Sequence, residues 1–440
     1  MTSLLRTRPG FRRLWAAGAV SLAGDWLSFV AVSALALESG GGAFALALVF
    51  AAHALPAAFL APLAGALVDR LDRRRVLVAA DFIASVITAA MAGAAVLGWI
   101  GVVQILLLAR SAVSAIVPPG ETAALRRVVE PGELGRANAI LAATWSVAYV
   151  AGMSLGGVAV LLGPAIALGL DAVSFLGAAA LHATLPPMPA PAGAAPASAL
   201  AIVRDTPRDT AHALRVAARR RALLAAVLGK TPIALAGGAG WLALNLLGAE
   251  LQPFGAAALS FGVLQAVRGA GTGIGPAIAT RLERAGVAEH TLQWIARLTM
   301  LAAVLALAVA RTPIALVAAA LVWGMGTGSN WVLSHTALQR ESPDEVIGRL
   351  SAFDELLVTV AMVSGAFAGA TAVALSGIGA AAIVGVVLGA LGIAAAAAIV
   401  AAVPASVDEG ERPEEVVLRE RDAVVPQDLV RGGDVEVEVG

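Results

Sequence analysis

Apolar runs of membrane-crossing length recur about a dozen times along this chain, each closed by glycine, proline or a knot of arginines. A bilayer core about 30 Å thick is crossed by roughly 20 helical residues. Breaks at those residues predict twelve spans, at residues 13–37, 43–67, 76–99, 101–119, 138–162, 164–186, 222–248, 255–279, 289–310, 312–334, 351–375 and 378–403. The third and fourth spans meet at Gly98 to Gly101, and the fifth and sixth at Gly163 and Pro164. Connections that short make the joined helices antiparallel neighbours. The pattern predicts an all-α membrane protein of twelve transmembrane helices.

One internal connection is long. Residues 187–221 follow Pro186, continue rich in alanine and proline, and end in an arginine-rich helix-like stretch. They are read as a cytoplasmic linker between a six-helix half at 1–186 and a second at 222–403. The halves echo each other at a shift of about 213 residues: Pro131, Glu133, Arg136 and Ala139 answer to Pro343, Glu345, Arg349 and Ala352, and Gly152 and Gly156 to Gly365 and Gly369. Two six-span repeats in parallel orientation predict a transporter built around a pseudo-two-fold axis.

Composition agrees: 59% of the 440 residues are hydrophobic and 14% charged, with a mean hydropathy of +0.86. That is more apolar surface than one soluble core buries, which excludes a soluble enzyme. The net charge of zero hides an asymmetry. Residues 405–440 carry 11 acidic and 4 basic side chains, leaving 19 acidic against 26 basic in the rest. If the N-terminus is cytoplasmic, 25 of the 30 basic residues fall on that side and only Arg311 on the other, as positively charged loops require. Both termini are therefore expected in the cytoplasm, the protein in the cell membrane, and the acidic tail 404–440 disordered. Arg6, Arg8, Arg12 and Arg13 precede an apolar stretch running to Leu37, which reads as a span rather than a cleavable signal. There is no cysteine.

After the second span the chain reads Gly65, three residues, Asp69, Arg70, Leu71, Asp72, Arg73, Arg74. This resembles the loop signature of the major facilitator superfamily, with Asp72 where that signature has glycine. Gly24-Asp25-Trp26, the acid Asp81, Asn138 before the fifth span and Asp171 through Phe175 in the sixth resemble the bacterial branch that exports macrolides and siderophores such as enterobactin. Gly152, Gly156 and Gly157 resemble an antiporter motif, with Met153 in place of its proline. The resemblance implies that spans one, four, seven and ten line a central cavity. It also implies that Gly65, Asp69, Arg70 and Arg73 latch the halves at the cytoplasmic face, Asp69 meeting the start of the eleventh span near Ser351.

Those four spans carry polar stripes: Ser21, Asp25 and Ser28; Arg110 and Ser114; Lys230, Gly237, Trp241 and Asn245; Trp323, Thr327, Asn330 and Ser334. Polar groups in hydrocarbon cost several kcal/mol unless they face protein or water. Asp25 is read as a protonation or substrate site, against a structural ion pair, and Arg110 as its cavity partner or a structural counter-ion. Arg268 shares a helix face with Phe261, Gln265 and Thr272, which suggests a cavity wall or an interdomain contact. Lys230 is either a cavity residue or, like Arg297, a side chain snorkelling to the near membrane face. His53 is a packing residue or a proton relay. The run from Gly269 to Gly275 lies in an apolar span with no preceding strand, so close helix packing explains it better than a nucleotide loop. Trp145, Tyr149, Trp241, Trp323 and Trp331 are candidates for an aromatic substrate wall.

These readings converge on a secondary transporter that works by alternating access, exporting drug-like or siderophore-like amphipathic molecules in exchange for protons. Uptake or facilitated transport of a metabolite or lipid by the same fold is the alternative, with a receptor or membrane enzyme further behind. An enzyme would need clustered nucleophiles, bases or metal ligands, and the five scattered histidines supply none. The expected partners are a small-molecule substrate, protons and the bilayer, with no cofactor, metal or nucleic acid, and the chain is expected to be a monomer.

Overall fold

The computed structural model describes residues 2–189, 199–343 and 345–403, so the expectations for the middle of the linker and for the acidic tail lie outside the described residues. The described chain is helical, without strands. Its long helices are α1 (Pro9–Glu38), α2 (Gly42–Arg70), α3 (Arg73–Val96), α4 (Ile100–Ser114), α5 (Leu134–Leu161), α6 (Pro164–Ala183), α7 (Thr231–Leu251), α8 (Ala257–Arg284), α9 (Glu289–Leu307), α10 (Pro313–Glu341), α11 (Ile347–Ser376) and α12 (Ile378–Ala401). Eleven of these segments are apolar and long enough to cross a membrane, counting α4 and α7 together with the short helices beside them. The remaining one, α8, has 28 residues, but glycines and the polar face of Gln265 and Arg268 dilute it.

Two predicted spans are broken where single helices were expected. The fourth stops at Ser114 and resumes as Val117–Val128, because Pro118 and Pro119 have no N–H to continue the ladder. The seventh stops at Leu228, and α7 restarts at Thr231 with Pro232 in its first turn, where proline is tolerated. The short connections join helices that pack on each other, α3 on α4 and α5 on α6, and Gly98 (φ +72°) and Gly163 (φ +123°) in them adopt backbone that favours glycine.

The internal repeat has a structural counterpart. Glu130 and Glu133 form a capping box at the entrance to α5, and the Pro343 carbonyl accepts from the N–H groups of Val346 and Ile347 at the entrance to α11. A side chain at Gly152 would collide with the Ala23 carbonyl of α1, as one at Gly365 would with the Leu235 carbonyl of α7. The paired glycines thus let α5 close on α1 and α11 close on α7. Across the molecule α5 packs on α8, and α2 on α11. Gly157 belongs to the first of these contacts: its Cβ would stand 3.0 Å from the Ala258 carbonyl.

The apolar core is distributed unevenly along the membrane axis. One large cluster joins both sets of six helices, through Leu27 to Ala36 of α1, Leu46 to Ala52 of α2, Ile233 to Leu247 of α7 and Phe261 to Ala266 of α8, among others. All these segments except the start of α7 lie toward the end opposite the termini. At the terminal end the clusters are separate, one around Phe11, Leu77 and Leu185, the other around Val216, Leu338 and Leu350. The apolar core is continuous at one end and divided at the other, where the helix Ala199–Ala218 nevertheless contacts both α2 and α11. Of the 24 residues of α12 only Ala381, Ala382, Gly385 and Gly389 are buried, in keeping with its lack of charged or amide side chains.

Candidate functional site

Four helices bring four polar residues together near mid-depth in the first six-helix set. Arg110 of α4 is 1% exposed and forms an ion pair with Asp25 of α1. The same nitrogen lies 3.5 Å from Oδ2 of Asp171 on α6, and Arg110 Nη2 lies 3.5 Å from Nδ1 of His53 on α2. Asp171 is fully buried and its Oδ1 accepts from Ser174 Oγ at 3.1 Å. Gly24 makes this approach possible, since any Cβ there would occupy the positions of Ser174 Oγ and Asp171 Oδ1. Next to it, Trp26 leans on His53 (5.3 Å between ring centres) and Tyr149 (4.7 Å). The Gly24-Asp25-Trp26 sequence is thus a clearance, a charge and an aromatic prop in succession.

Two carboxylates share one guanidinium here. If both are ionised, the set carries one uncompensated negative charge in a buried place, and one bound proton removes it. Asp25, with its side chain 23% exposed, is accessible to that proton, while Arg110 and Asp171 are sealed. Sequence left Asp25 and Arg110 between site and structural pair; the structure makes them one unit with Asp171 and His53.

A second polar centre lies in the last six helices. Lys230, read as either cavity-lining or snorkelling, does not snorkel: it is 2% exposed, pairs with Asp354 of α11 and stands 4.7 Å from the centre of the Trp331 ring. The helix break at Gly229 places it at the start of α7, facing inward. Arg297 likewise turns to protein, its Nε donating to Asn330 Oδ1 at 3.2 Å and its guanidinium lying 5.6 Å from the Trp294 ring centre. Arg268 of α8 donates from Nε to Gln265 Oε1 at 2.7 Å and from Nη2 to the Tyr149 hydroxyl. Gln265 Nε2 in turn donates to Asn245 Oδ1 at 2.8 Å. Trp241 sits apart from this network, packed against Phe29, Phe50 and Phe261. It belongs to the aromatic seal between the two sets of helices rather than to an open wall. Trp323 is 1% exposed, with its ring 5.1 Å from the Arg268 guanidinium.

The loop after α2 is built differently from the expected latch. Arg73 is buried, its Nη1 donating to the Pro189 carbonyl at 2.6 Å, so it ties the exit of α6 to its own half. Asp72 accepts from the backbone N–H groups of Arg75 (3.0 Å) and Met188 (2.9 Å). A carboxylate in the glycine position therefore caps α3 and anchors the chain leaving α6. Gly65 has open space around it, Arg70 closes α2, and the Asp69 side chain lies outside the described residues.

The glycine run of α8 does what the sequence suggested. Gly271 and Gly275 meet the backbone of α10 at Leu321 and Met325, while Gly324 and Gly328 meet Arg268 and Thr272 in return. Two polar clusters were not foreseen. One is the Lys230–Asp354 pair. The other is buried in the first half, where His182 Nδ1 lies 2.7 Å from Asp81 Oδ2 and its Nε2 lies 3.9 Å from Glu121 Oε1. The recurring acids inside apolar spans were the available signal for both.

Residues 14–366 match the family model of the Major Facilitator Superfamily. The chain belongs to that superfamily. It is a membrane transporter and not an enzyme, and its fold is shared by solved members at low identity. The crystal structure of nucleoside transporter NupG superposes with a TM-score of 0.66 at 14% identity, covering 89% of this chain and 98% of that one. A bacterial homologue of the iron transporter ferroportin in its inward-facing state gives 0.64 at 16%, covering 91% and 100%. Among curated proteins, "Multidrug efflux pump Tap" of Mycobacterium tuberculosis (strain ATCC 25618 / H37Rv) is 32% identical over 160 residues, 34% of this chain. The chain spans 37% of that relative's length.

Proposed function

We propose that this transporter exports amphipathic small molecules across the cell membrane in exchange for protons, with both termini cytoplasmic. The observation that carries the reading is the pair of carboxylates, Asp25 and Asp171, sharing the single guanidinium of Arg110. A proton entering this set changes its net charge, and the four helices that supply it change their mutual attraction with it. Export is supported by the partial likeness to a multidrug efflux pump and by Gly152, Gly156 and Gly157 in the antiporter-like stretch. The orientation is supported by the arginine distribution, and with it the end where the core is continuous is extracellular and the divided end cytoplasmic, an inward-facing state. Asp69 and Arg70, at the cytoplasmic end of α2, are the latch residues of this reading. The two six-helix halves, 1–186 and 222–403, rock about the central site as a monomer.

The test is flux in proteoliposomes carrying a proton gradient, with labelled amphipathic compounds of each charge type. Wild type should accumulate at least one class against its gradient and move protons in the opposite sense. Accumulation that survives collapse of the proton gradient removes the proton from the mechanism.

A further inference from the structure

A cavity of about 40 Å³ in the last six helices is lined by Lys230, Arg268, Trp323, Thr327, Asn330 and Trp331, with apolar neighbours. Its polar groups are mismatched in one direction. Lys230 is neutralised by Asp354. Arg297 spends its Nε on Asn330. Arg268 has only neutral partners, the Gln265 amide oxygen and the Tyr149 hydroxyl, and among the described residues no carboxylate forms a salt bridge with it. Its guanidinium lies between the rings of Trp323 and Tyr149, at 5.1 and 5.5 Å. One turn apart on α10, Trp323 Nε1 and Thr327 Oγ1 are buried without any hydrogen-bond partner.

A guanidinium and an indole N–H offer donors and no acceptors, and a hydroxyl can donate as well. Buried donors left unmade are costly, and a half-buried cation without a counter-ion costs more. Such a set is completed by acceptor-only oxygens carrying negative charge. An ammonium cation would leave the donors unmet and add repulsion.

We propose that Arg268, Trp323 and Thr327 form an oxyanion subsite that receives the carboxylate or phosphate head of the transported molecule, with its planar apolar body resting on the aromatic wall. The cavity in this state accommodates a head group and not a whole aromatic molecule, so the body extends toward the divided end, past Trp331, which is 38% exposed. This inference rests on the transport reading and gives that site its substrate class: amphipathic anions. Protons would then be handled at Asp25 and Asp171, and cargo charge at Arg268, in opposite halves.

The test is equilibrium binding to the full-length protein in phosphatidylcholine nanodiscs, using naphthoate and two isosteres, naphthamide and naphthylmethylamine. Naphthoate should bind roughly tenfold more tightly than the amide, and the amine most weakly. Arg268→Gln should erase the preference while the amide still binds. If Arg268→Gln fails to fold, Trp323→Phe with Thr327→Val keeps the rings and the cation but removes both orphan donors, and should reduce the preference severalfold. Equal affinity for the three probes, or an unchanged preference in a folded Arg268→Gln protein, overturns the subsite. Phosphatidylglycerol nanodiscs separate the two oxyanion sources: naphthoate binding abolished by anionic lipid assigns the subsite to a headgroup and overturns the cargo role. Flux of naphthoate in proteoliposomes is scored separately. Binding with a charge preference but no flux defeats the transport reading and leaves the subsite, whereas flux without a charge preference does the reverse.

Discussion

Tyr149 of α5 and Arg268 of α8 join the two halves of the molecule at mid-membrane, the phenol oxygen accepting from the guanidinium and donating to Gln265 Oε1 at 3.0 Å. Every other member of that network lies in the second half. Removing the hydroxyl alone should therefore loosen one conformation without touching either ion-paired centre. Tyr149→Phe should shift the balance of states by about 1 kcal/mol, a several-fold change in populations. Spin labels on introduced cysteines at the end of α2 near Arg70 and the start of α11 near Ile347 report it directly, because the chain has no cysteine of its own. An unchanged distance distribution would remove the bridge from the switching equilibrium.

Asp25→Asn should abolish proton-driven accumulation while leaving substrate exchange measurable, since the amide keeps the shape and loses the titration. Asp171→Asn removes the sealed carboxylate instead, and should leave Asp25 permanently paired with Arg110. Coupling should be lost in both variants, by more than tenfold in uphill accumulation. Proton movement persisting in both would relocate the coupling group, with His53 next in line.

Lys230→Met leaves Asp354 buried without a partner, and such breaks cost about 3–5 kcal/mol. Its melting temperature in detergent should fall sharply. Lys230→Met combined with Asp354→Leu should recover most of the loss, since replacing both members of a buried pair with apolar groups is often neutral. A double variant no more stable than the single one would mean that the pair does more than balance charge.

As a latch residue of the proposed reading, Asp69 changed to Asn (Asp69→Asn) should retain substrate binding and slow turnover. The comparison is kcat against binding affinity at matched expression. Full turnover removes the latch.

The membrane itself made most of the fold readable. Twelve apolar runs can only be helices where no water satisfies the backbone, and the arginine-bearing loops punctuate them. Pairing was another matter. Asp25 and Arg110 are 85 positions apart, and nothing in their spacing distinguishes an ion pair from two separate cavity groups. Asp354 escaped notice because it lies in the first turns of α11, where an acid reads as a membrane-edge residue. His182 and Asp81 stood out as polar groups in apolar helices, but nothing in either marks the partner it meets 101 residues away. Trp241 and Lys230 were visible as polar or aromatic positions, yet only the packing shows that one joins an aromatic cluster between the two sets of helices and the other is locked to α11.

The shortfall in apolar character of α8 bears on how the protein is made. Its Arg268 and Gln265 are sheltered by Tyr149 on α5, Asn245 on α7 and Trp323 on α10, and its glycines fit against α10. When the ribosome has just delivered α8, the α10 surface does not yet exist. A lone helix with a central arginine partitions poorly into lipid, at about 2.5–3.5 kcal/mol for that residue. Insertion of α8 is accordingly expected to depend on its neighbours, and a chain truncated after α8 should insert less completely than one truncated after α10.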